Sequence, residues 1–363
     1  MVQALRSMVR RLGRALARPN ALARGCVGPR AARPNLQGVL ILLAAFASSA
    51  TAEPLKIRVG WISVPVSLAP VLFARPELAR NQGKSYVLEP IRFTGSSIML
   101  TALATGNLDI AELSFSSFGF ALQNAGLDDI RIIADTIQDG ARDHLSVAFM
   151  VRKEGPVAAI ADLRGRVLAT NVIGTGTDIG MRAMLRKAGL EDKRDYSVVE
   201  ADYTTMKPML LSGKAELIAT TPVTVHDPGL LAGARTLFSQ RDAFGTTQLL
   251  SEVARREFIA KNRAALVDYL EDYLRALRWY LDPANRKEAV EIISKFTRLP
   301  AARLEGWVLT KDDFYRDPDG RPNLAALQAN LKLQKEQGFL NADIDVARYA
   351  DLSLIEEAGG RLK

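Results

Sequence analysis

Three glycines near the middle of the chain lie in a stretch that resembles a loop that binds phosphate. In the stretch NVIGTGTDIG, Gly174, Gly176 and Gly180 lie where a short apolar run gives way to a helical pattern. Glu200 and Asp202 follow the next apolar run, about where dinucleotide-binding folds place the acid that binds ribose. The loop therefore predicts an anion site at a helix N-terminus, and a nicotinamide-dependent oxidoreductase is one protein that would use such a site.

The spacing of these glycines argues against a dinucleotide. The fingerprint is G-x-G-x-x-G, whereas the chain has G-x-G-x-x-x-G, which is longer by one residue. A Gly- and Thr-rich loop at the start of a helix leaves several N–H groups unpaired, and these bind a small carboxylate or sulfonate as well as a pyrophosphate. The oxidoreductase is therefore the less favoured alternative to a binding protein.

Other catalytic motifs are missing from the sequence. The two histidines, His144 and His226, do not form an H-E-x-x-H pair, and the only cysteine is Cys26, so a zinc site is not expected. No G-x-S-x-G elbow is present, which excludes a serine hydrolase of that design. We predict that the protein is not an enzyme and that it uses no cofactor and no metal.

The first 52 residues are predicted to be a signal peptide. They contain eight arginines and no acidic residue, then the apolar run GVLILLAAFA and a small-residue site that ends at Ala52. We expect cleavage after Ala52 and a periplasmic location. An organellar transit peptide and twin-arginine export through Arg10 and Arg11 fit the pattern less well, and Val27 is an alternative start of translation.

Removal of this segment changes the charge of the chain. The full sequence has 48 Lys and Arg against 40 Asp and Glu, and the whole excess lies in the eight arginines of the predicted signal peptide. The remaining chain is neutral, so charge gives no reason to expect nucleic acid or an anionic membrane surface as a partner. Cys26 would also be removed, and we expect a monomer without disulfides.

Strand-like and helix-like segments alternate along the first two thirds of the remaining chain, which predicts parallel βαβ units. The strand-like segments fall into two sets on either side of a longer strand at 145–153, which we interpret as a crossover between two lobes. From about residue 246 the pattern is helical. It includes one apolar stripe that is typical of a core face, formed by Leu266, Leu270, Tyr273, Leu274, Leu277 and Leu281.

Three segments resemble the solute-binding proteins of ABC importers in the sulfonate, nitrate, taurine and pyrimidine-precursor group. They are FTGSSIMLTALATGNLDIAELS, ADLRGRVLATNVIGTGTDIGMRAMLRKAGL and LLSGKAELIATTP, and the match runs in order over most of residues 55–250. The chain departs from the family pattern at Glu216, at Thr220-Thr221 and in the serine-rich SFSSFG. These departures fall where ligand identity is decided, so the resemblance does not name the ligand.

The resemblance implies a type II periplasmic-binding-protein-like fold. We predict two α/β lobes, each a mainly parallel sheet flanked by helices, with the ligand in the cleft between them. Lobe one would comprise residues 54–143 plus 246–363, and lobe two residues 144–245. The expected partners are a small, anionic organic solute and the membrane permease of an ABC importer with its ATPase. An enzyme of the same fold, similar to the pyrimidine-precursor synthases, is an alternative.

Ligands of such folds bind at the carboxyl ends of the strands. The candidate ligand-binding residues are therefore the hydroxyl-bearing residues and glycines that follow predicted strands, although each serine or threonine could equally be a helix cap. They are Ser63, Gly95, Ser96, Ser97, Ser114, Ser116, Thr175, Gly176, Thr177 and Thr221. Three charged residues near the same strand ends, Arg92, Glu112 and Arg142, are further possible contacts that would favour or oppose an anion.

Overall fold

The structure is a computed structural model that describes residues 53–124 and 126–363. The predicted signal peptide and its cleavage site after Ala52 lie outside the described residues. Within the described part, no helix is long and apolar enough to cross a membrane. The strands of this part are β1 (Leu55–Trp61), β2 (Tyr86–Arg92), β3 (Ile110–Ser114), β4 (Ile130–Asp139), β5 (Ala148–Arg152), β6 (Arg166–Thr170), β7 (Tyr196–Glu200), β8 (Leu217–Ala219), β9 (Ala234–Ser239) and β10 (Thr247–Arg255).

The helices pack on the sheets that these strands form. They are α1 (Ala69–Ala74), α2 (Ser96–Ala104), α3 (Phe115–Asn124), α4 (Gly176–Lys187), α5 (Tyr203–Leu211), α6 (Pro222–Val225), α7 (Pro228–Gly233), α8 (Gln240–Phe244), α9 (Arg256–Leu281), α10 (Arg286–Thr297), α11 (Leu324–Glu336) and α12 (Ser353–Arg361). Short 3₁₀ turns and loops connect the remainder.

Two five-stranded sheets form the framework. The first has the order β2-β1-β3-β10-β4 and the second has the order β7-β6-β8-β5-β9. In the first sheet β10 runs antiparallel to both of its neighbours, and in the second sheet β5 does so, while the other pairs are parallel. Both sheets are therefore mainly parallel, as expected. We call the first sheet with α1–α3 and α9–α12 lobe one, and the second sheet with α4–α8 lobe two.

The antiparallel strand of each sheet is the one that arrives from the other lobe. The chain passes from β4 of lobe one to β5 of lobe two, and it returns from β9 and α8 of lobe two to β10 of lobe one. Two crossovers thus join the lobes, and both enter the fourth position of their sheet.

The expectation of a purely helical region after about residue 246 is wrong for its first nine residues. Thr247–Arg255 is strand β10, and its first eight residues are buried. A strand buried on both faces lacks the two-residue alternation that would mark it, and a long helix follows it directly, so its pattern merges with that of the helix.

The predicted apolar stripe of α9 is confirmed as a core face. Leu266, Leu270 and Leu274 are fully buried, and Tyr273 and Leu277 are at most 2% exposed. They pack with apolar residues of β1, β2 and α12 in one hydrophobic cluster, which Leu281 adjoins from its edge. This cluster anchors the long C-terminal helices to the sheet of lobe one.

Candidate functional site

A cavity of about 60 Å³ lies between the two lobes at the ends of their strands. Lobe one and the segments next to it contribute mainly apolar walls, including Ile62, Val66, Leu249 and Phe314. Lobe two contributes mainly hydroxyl and amide groups from the loops after β6, β7 and β8. The cavity is thus a small apolar space with polar groups concentrated at strand ends, which is the usual composition of a small-molecule site.

Seven of the ten candidate residues line this cavity. They are Ser63, Ser96, Ser114, Thr175, Gly176, Thr177 and Thr221. The structure brings them together because each ends or follows one of the strands that run parallel in its sheet, and the carboxyl ends of parallel strands lie at one edge of a sheet.

The other three candidates lie beside the cavity and make contacts between the lobes. The Ser97 hydroxyl donates to the carbonyl of Ile173 at 3.1 Å, and the Ser116 hydroxyl donates to the carbonyl of Gly174 at 2.9 Å. A Cβ atom on Gly95 would lie 3.0 Å from the side chain of Val172. These residues hold the two lobes together at the cavity rim, and the structure does not place them in the lining.

The three charged candidates are not part of the lining either. Arg92 ends edge strand β2, and its Nε donates to the carbonyl of Ile62 at 3.3 Å. Glu112 lies inside lobe one, where it accepts a 2.6 Å hydrogen bond from Ser67. Arg142 lies on the first crossover, outside the cavity. The three charged residues near predicted strand ends therefore lie at the sheet edge, in the core and on the crossover, and none of them lines the cavity.

One hydroxyl joins the starts of three helices. The Ser114 Oγ accepts hydrogen bonds from the backbone N–H of Gly176 at 3.1 Å and of Ser117 at 3.2 Å, and the Ser96 hydroxyl donates to it at 3.0 Å. These residues lie in the first turns of α4, α3 and α2, and α4 belongs to the opposite lobe. The positive ends of three helices therefore meet at the cavity, where they favour a negatively charged or strongly polar group.

The structure explains why each of the three positions in the GTGTDIG loop is a glycine. Gly174 has a φ of +84°, which a side chain rarely adopts. A Cβ on Gly176 would lie 3.0 Å from a ring carbon of Phe115, and one on Gly180 would lie 1.9 Å from the amide oxygen of Gln240. The glycines therefore allow a tight turn, the approach of lobe one and the packing of α8 on α4, and none of these requires a pyrophosphate.

The acids that suggested ribose binding also have local partners. Glu200 accepts a hydrogen bond from the backbone N–H of Ile173 at 2.7 Å, and Asp202 caps helix α5 by accepting from the N–H of Thr204 at 2.9 Å. Each acid thus has a local structural role that does not require a ribose hydroxyl.

Helix α4 carries its own counter-charge near the cavity. Asp178 lies in its first turn, accepts from the N–H of Gly174 at 2.9 Å and forms an ion pair with Arg182 at 2.9 Å. Burial raises the pKa of Asp178, against the opposing effect of Arg182. This pair offsets the local charge, so the helix end offers hydrogen-bond donors more than net positive charge.

Among the residues that line the cavity, Tyr203 has a titratable side chain, its phenol. Burial raises the pKa of its phenol to about 12, against a smaller opposing effect of Thr177. The phenol is therefore protonated at neutral pH and acts as a hydrogen-bonding group. Among residues 53–124 and 126–363, no cluster of His, Cys, Asp and Glu could hold a metal ion.

The lobes also meet outside the cavity. Asp227 of lobe two forms an ion pair with Arg303 of lobe one at 2.6 Å, and the ring of His226 stacks on Trp307 at 5.3 Å between centroids. His226 also contacts the carbonyl of Asp312 through Nε2 at 2.9 Å. These contacts and those at the cavity rim describe a closed arrangement of the lobes.

Some lining residues were not anticipated from the sequence. Asn171 and Tyr203 follow β6 and β7, so the strand-end rule that found the serines would have found them too. Val66, Leu249 and Phe314 carry no such signal, because an apolar residue that lines a cavity has the same sequence pattern as one in the core.

Four buried carboxyls in lobe one predict an unusual dependence of stability on pH. Glu112 and Glu252 are direct neighbours across the β3–β10 pair. Burial raises the pKa of Glu112 to about 8, where Ser67 opposes the shift and Glu252 adds to it, and it raises the pKa of Glu252 to about 7. Asp135 and Asp139 are each raised to about 7, also mainly by burial.

These carboxyls titrate near pH 4 in the unfolded chain. A raised pKa means that the folded state holds its proton more tightly, so the stabilisation is complete below pH 4 and is lost as the pH rises towards 8. We therefore expect the free energy of unfolding to fall between about pH 5 and pH 8, with Glu112 accounting for up to about 3–5 kcal/mol. Chemical denaturation of Glu112→Gln across this range should show a shallower decline. A matched change of an exposed acid, Glu154→Gln, should keep the original slope, and equal slopes in all three proteins would contradict the assignment.

Comparison with known proteins gives one family and many similar folds. The sequence model described as NMT1/THI5 like matches residues 91–285. The structure is similar to the alkanesulfonate-binding protein SsuA from Xanthomonas axonopodis pv. citri bound to MOPS, with a TM-score of 0.65 and 19% identity over 83% of this chain and 99% of that chain. No curated protein sequence matches the chain.

Two further solved structures broaden this likeness. The periplasmic nitrate-binding protein NrtA from Synechocystis PCC 6803 has a TM-score of 0.66 and 15% identity over 86% of this chain and 90% of that chain. The desulfurization enzyme DSZB has a TM-score of 0.58 and 11% identity over 85% of this chain and 100% of that chain. At these identities the likeness shows the fold, which is the two-lobe α/β architecture predicted from the sequence.

Proposed function

Because the chain belongs to the NMT1/THI5-like family, we propose that it is the solute-binding component of an ABC importer, which captures a small organic anion by closure of its two lobes. The observation that carries this proposal is the cavity between the lobes, where hydroxyls and three helix starts converge from both sides. Of the proteins with a similar fold, SsuA is an alkanesulfonate-binding protein and NrtA is a nitrate-binding protein.

The lining indicates what kind of solute fits. Hydroxyls and helix N-termini would bind an oxyanion such as a sulfonate or carboxylate, and the walls formed by Ile62, Val66, Leu249 and Phe314 would take a short apolar body. No lysine, arginine or histidine is among the described lining residues, so binding of charge would depend on oriented N–H and O–H groups. This favours a solute with a single negative charge over one with two.

Closure is needed because no single contact suffices. A micromolar dissociation constant corresponds to about −8 kcal/mol, whereas one helix dipole contributes about 0.3–1 kcal/mol and one neutral hydrogen bond about 1 kcal/mol. Donors from both lobes must therefore act together. We propose that residues 54–143 plus 246–363 move as one body against residues 144–245.

We propose binding without chemistry. DSZB is an enzyme of similar fold, so the fold alone does not decide between binding and catalysis. The described lining contains no carboxylate, imidazole or thiol, and its phenol is protonated at neutral pH. The described lining residues therefore supply neither a general base nor a group that would activate a nucleophile, which are the groups that acid–base and covalent catalysis use.

The location and partners follow from the same proposal. The arginine-rich segment with its apolar run would export the chain, cleavage after Ala52 would release it in the periplasm, and the closed monomer would deliver its solute to a permease and ATPase.

A ligand screen tests the proposal directly. Purified protein that begins at Glu53 should be melted in the presence of nitrate, alkane and aromatic sulfonates, aliphatic and aromatic carboxylates, amines and pyrimidines. A ligand that binds only the folded state raises the melting temperature, and we expect singly charged oxyanions with a short apolar body to do so. Stabilisation by none of these classes, followed by turnover of one of them in an activity assay, would instead favour an enzyme.

A further inference from the structure

A second cavity, of about 320 Å³, lies at the crossovers between the lobes, apart from the solute cavity. Arg142 comes from the first crossover and Thr246 from the second. Lobe one contributes the other polar side chains that the wall offers to an anion, which are Gln138, Tyr315, Arg321 and Asn323. The two cavities share no lining residue.

The charged residues that line this second cavity are two arginines, Arg142 and Arg321, and one acid, Asp317. The guanidinium of Arg142 lies over the ring of Tyr315 at 4.9 Å, while the carboxylate of the neighbouring Asp143 pairs with Arg241 at 3.5 Å. The carboxylate nearest to the guanidinium of Arg321 is that of Glu356, at 3.8 Å. Asp317 also lines the cavity, and its Oδ1 accepts from backbone N–H groups of Asp319 and Arg321, so one carboxylate stands against the two guanidinium groups of the wall.

Two further groups of the wall can bind an anion. Helix α11, of 13 residues, begins next to Asn323, which is its N-cap and lines the cavity, so the positive end of the helix faces the same space. Tyr315 is only 9% exposed, and its hydroxyl has no hydrogen-bond partner among the described residues. A buried hydroxyl without a partner is costly and indicates a missing acceptor or donor.

The backbone at this point is strained. Arg142 has φ +49° and the next residue, Asp143, has φ +59°, although neither is a glycine. Lys311 holds this conformation by donating to the carbonyl of Arg142. Two consecutive residues in the left-handed region cost free energy, and such strain persists mainly at functional positions.

We propose that this second cavity binds a small oxyanion, of the phosphate or carboxylate type, between Arg142 and Arg321. Planar guanidinium groups bind both kinds of oxyanion through paired N–H donors. The N-terminus of α11 adds to the positive potential, whereas Gln138 and Thr246 already donate within the protein, to Asp135 and to the carbonyl of Gly140.

Titration with inorganic phosphate and with succinate tests this proposal, using the chain from Glu53 onward and chloride to match ionic strength. Calorimetry should detect saturable binding of at least one of the two at about 10 mM, as expected for a Kd near 1 mM. Arg142→Gln and Arg321→Gln should each raise that Kd at least about ten-fold, since each removes a charged hydrogen-bond donor. An anion concentration that saturates the parent protein should slow hydrogen exchange at residues 141–143 and 245–247 there, and it should slow exchange less in the two variants.

Lys84→Gln is the matched control, because it removes one exposed positive charge from a turn far along the chain from both crossovers. It should leave the Kd unchanged, and melting curves should confirm that all three variants fold. Phosphate and succinate distinguish the two kinds of anion, and binding of either supports the site. Absence of saturable binding by both probes, or equal Kd values in the parent and both arginine variants, would overturn the proposal. Neither result depends on which solute the first cavity takes.

Discussion

A Gly176→Val variant is expected to fold and to lose solute binding. A Cβ at this position would lie 3.0 Å from a ring carbon of Phe115 and 3.1 Å from a methyl carbon of Leu249. Both of these residues belong to lobe one, whereas Gly176 begins α4 in lobe two. The added side chain would therefore keep the lobes apart without disturbing the core of either lobe. Backbone strain does not enter, because Gly176 is not among the residues with positive φ.

The effect on affinity should be large. Overpacking by a methylene costs about 1–3 kcal/mol, and valine adds three carbons at a contact that forms on closure. We expect calorimetry with the solute found by the screen to show an affinity at least about 100-fold weaker. The control is Gly360→Val, which places the same side chain on α12 where nothing lies within 4 Å. An unchanged affinity with a lowered melting temperature in Gly176→Val would mean that the loop is only a structural turn.

A Ser114→Ala variant is expected to weaken solute binding by about 10- to 100-fold. It removes the acceptor of the Gly176 and Ser117 backbone N–H groups, and an unpaired buried donor costs about 1–3 kcal/mol. The bond to Gly176 joins the two lobes, so its loss acts on closure, whereas the bond to Ser117 lies within lobe one and acts on stability. Calorimetry and melting curves of the same protein therefore separate the two contributions.

Ser212→Ala provides the comparison for this variant. Ser212 is an exposed residue after α5, and its hydroxyl donates to the carbonyl of Met209 within the same lobe. Its replacement should change neither affinity nor closure. If Ser114→Ala lowers the melting temperature but binds the solute as the parent does, the hydroxyl only caps α3 and the three helix starts do not form the binding site.

The sequence predicts the polar half of the site better than the apolar half. Ser63, Ser114 and Thr177 were found because parallel strands end at one edge of their sheet, and that rule needs only the position of each strand. Leu249 and Phe314 were not found, since their side chains would look the same in a core. Leu249 also belongs to β10, which the sequence merged with the helix after it.

Charged residues were predicted least well. The sequence places Glu112 two residues before Ser114 on the same strand, and the strand-end rule gives both an equal chance of facing the cleft. Both side chains lie on the same face of β3, but Glu112 is two residues farther from the carboxyl end of the strand, so its carboxyl lies beside Glu252 and Ser67 in the core. The position of Arg142 could not be predicted from the sequence either, because it depends on the path of the crossover, which places this residue at the second cavity.

The central claim is that the solute is held by closure of the two lobes, and small-angle X-ray scattering with and without the solute tests it most directly. We expect the radius of gyration of the unmodified protein and of Gly360→Val to decrease on addition of solute, since hinged two-lobe proteins become more compact when they close. The Gly176→Val variant should keep the larger radius at every solute concentration. A radius that is the same with and without solute in the unmodified protein, at a concentration where calorimetry shows saturation, would contradict binding by closure.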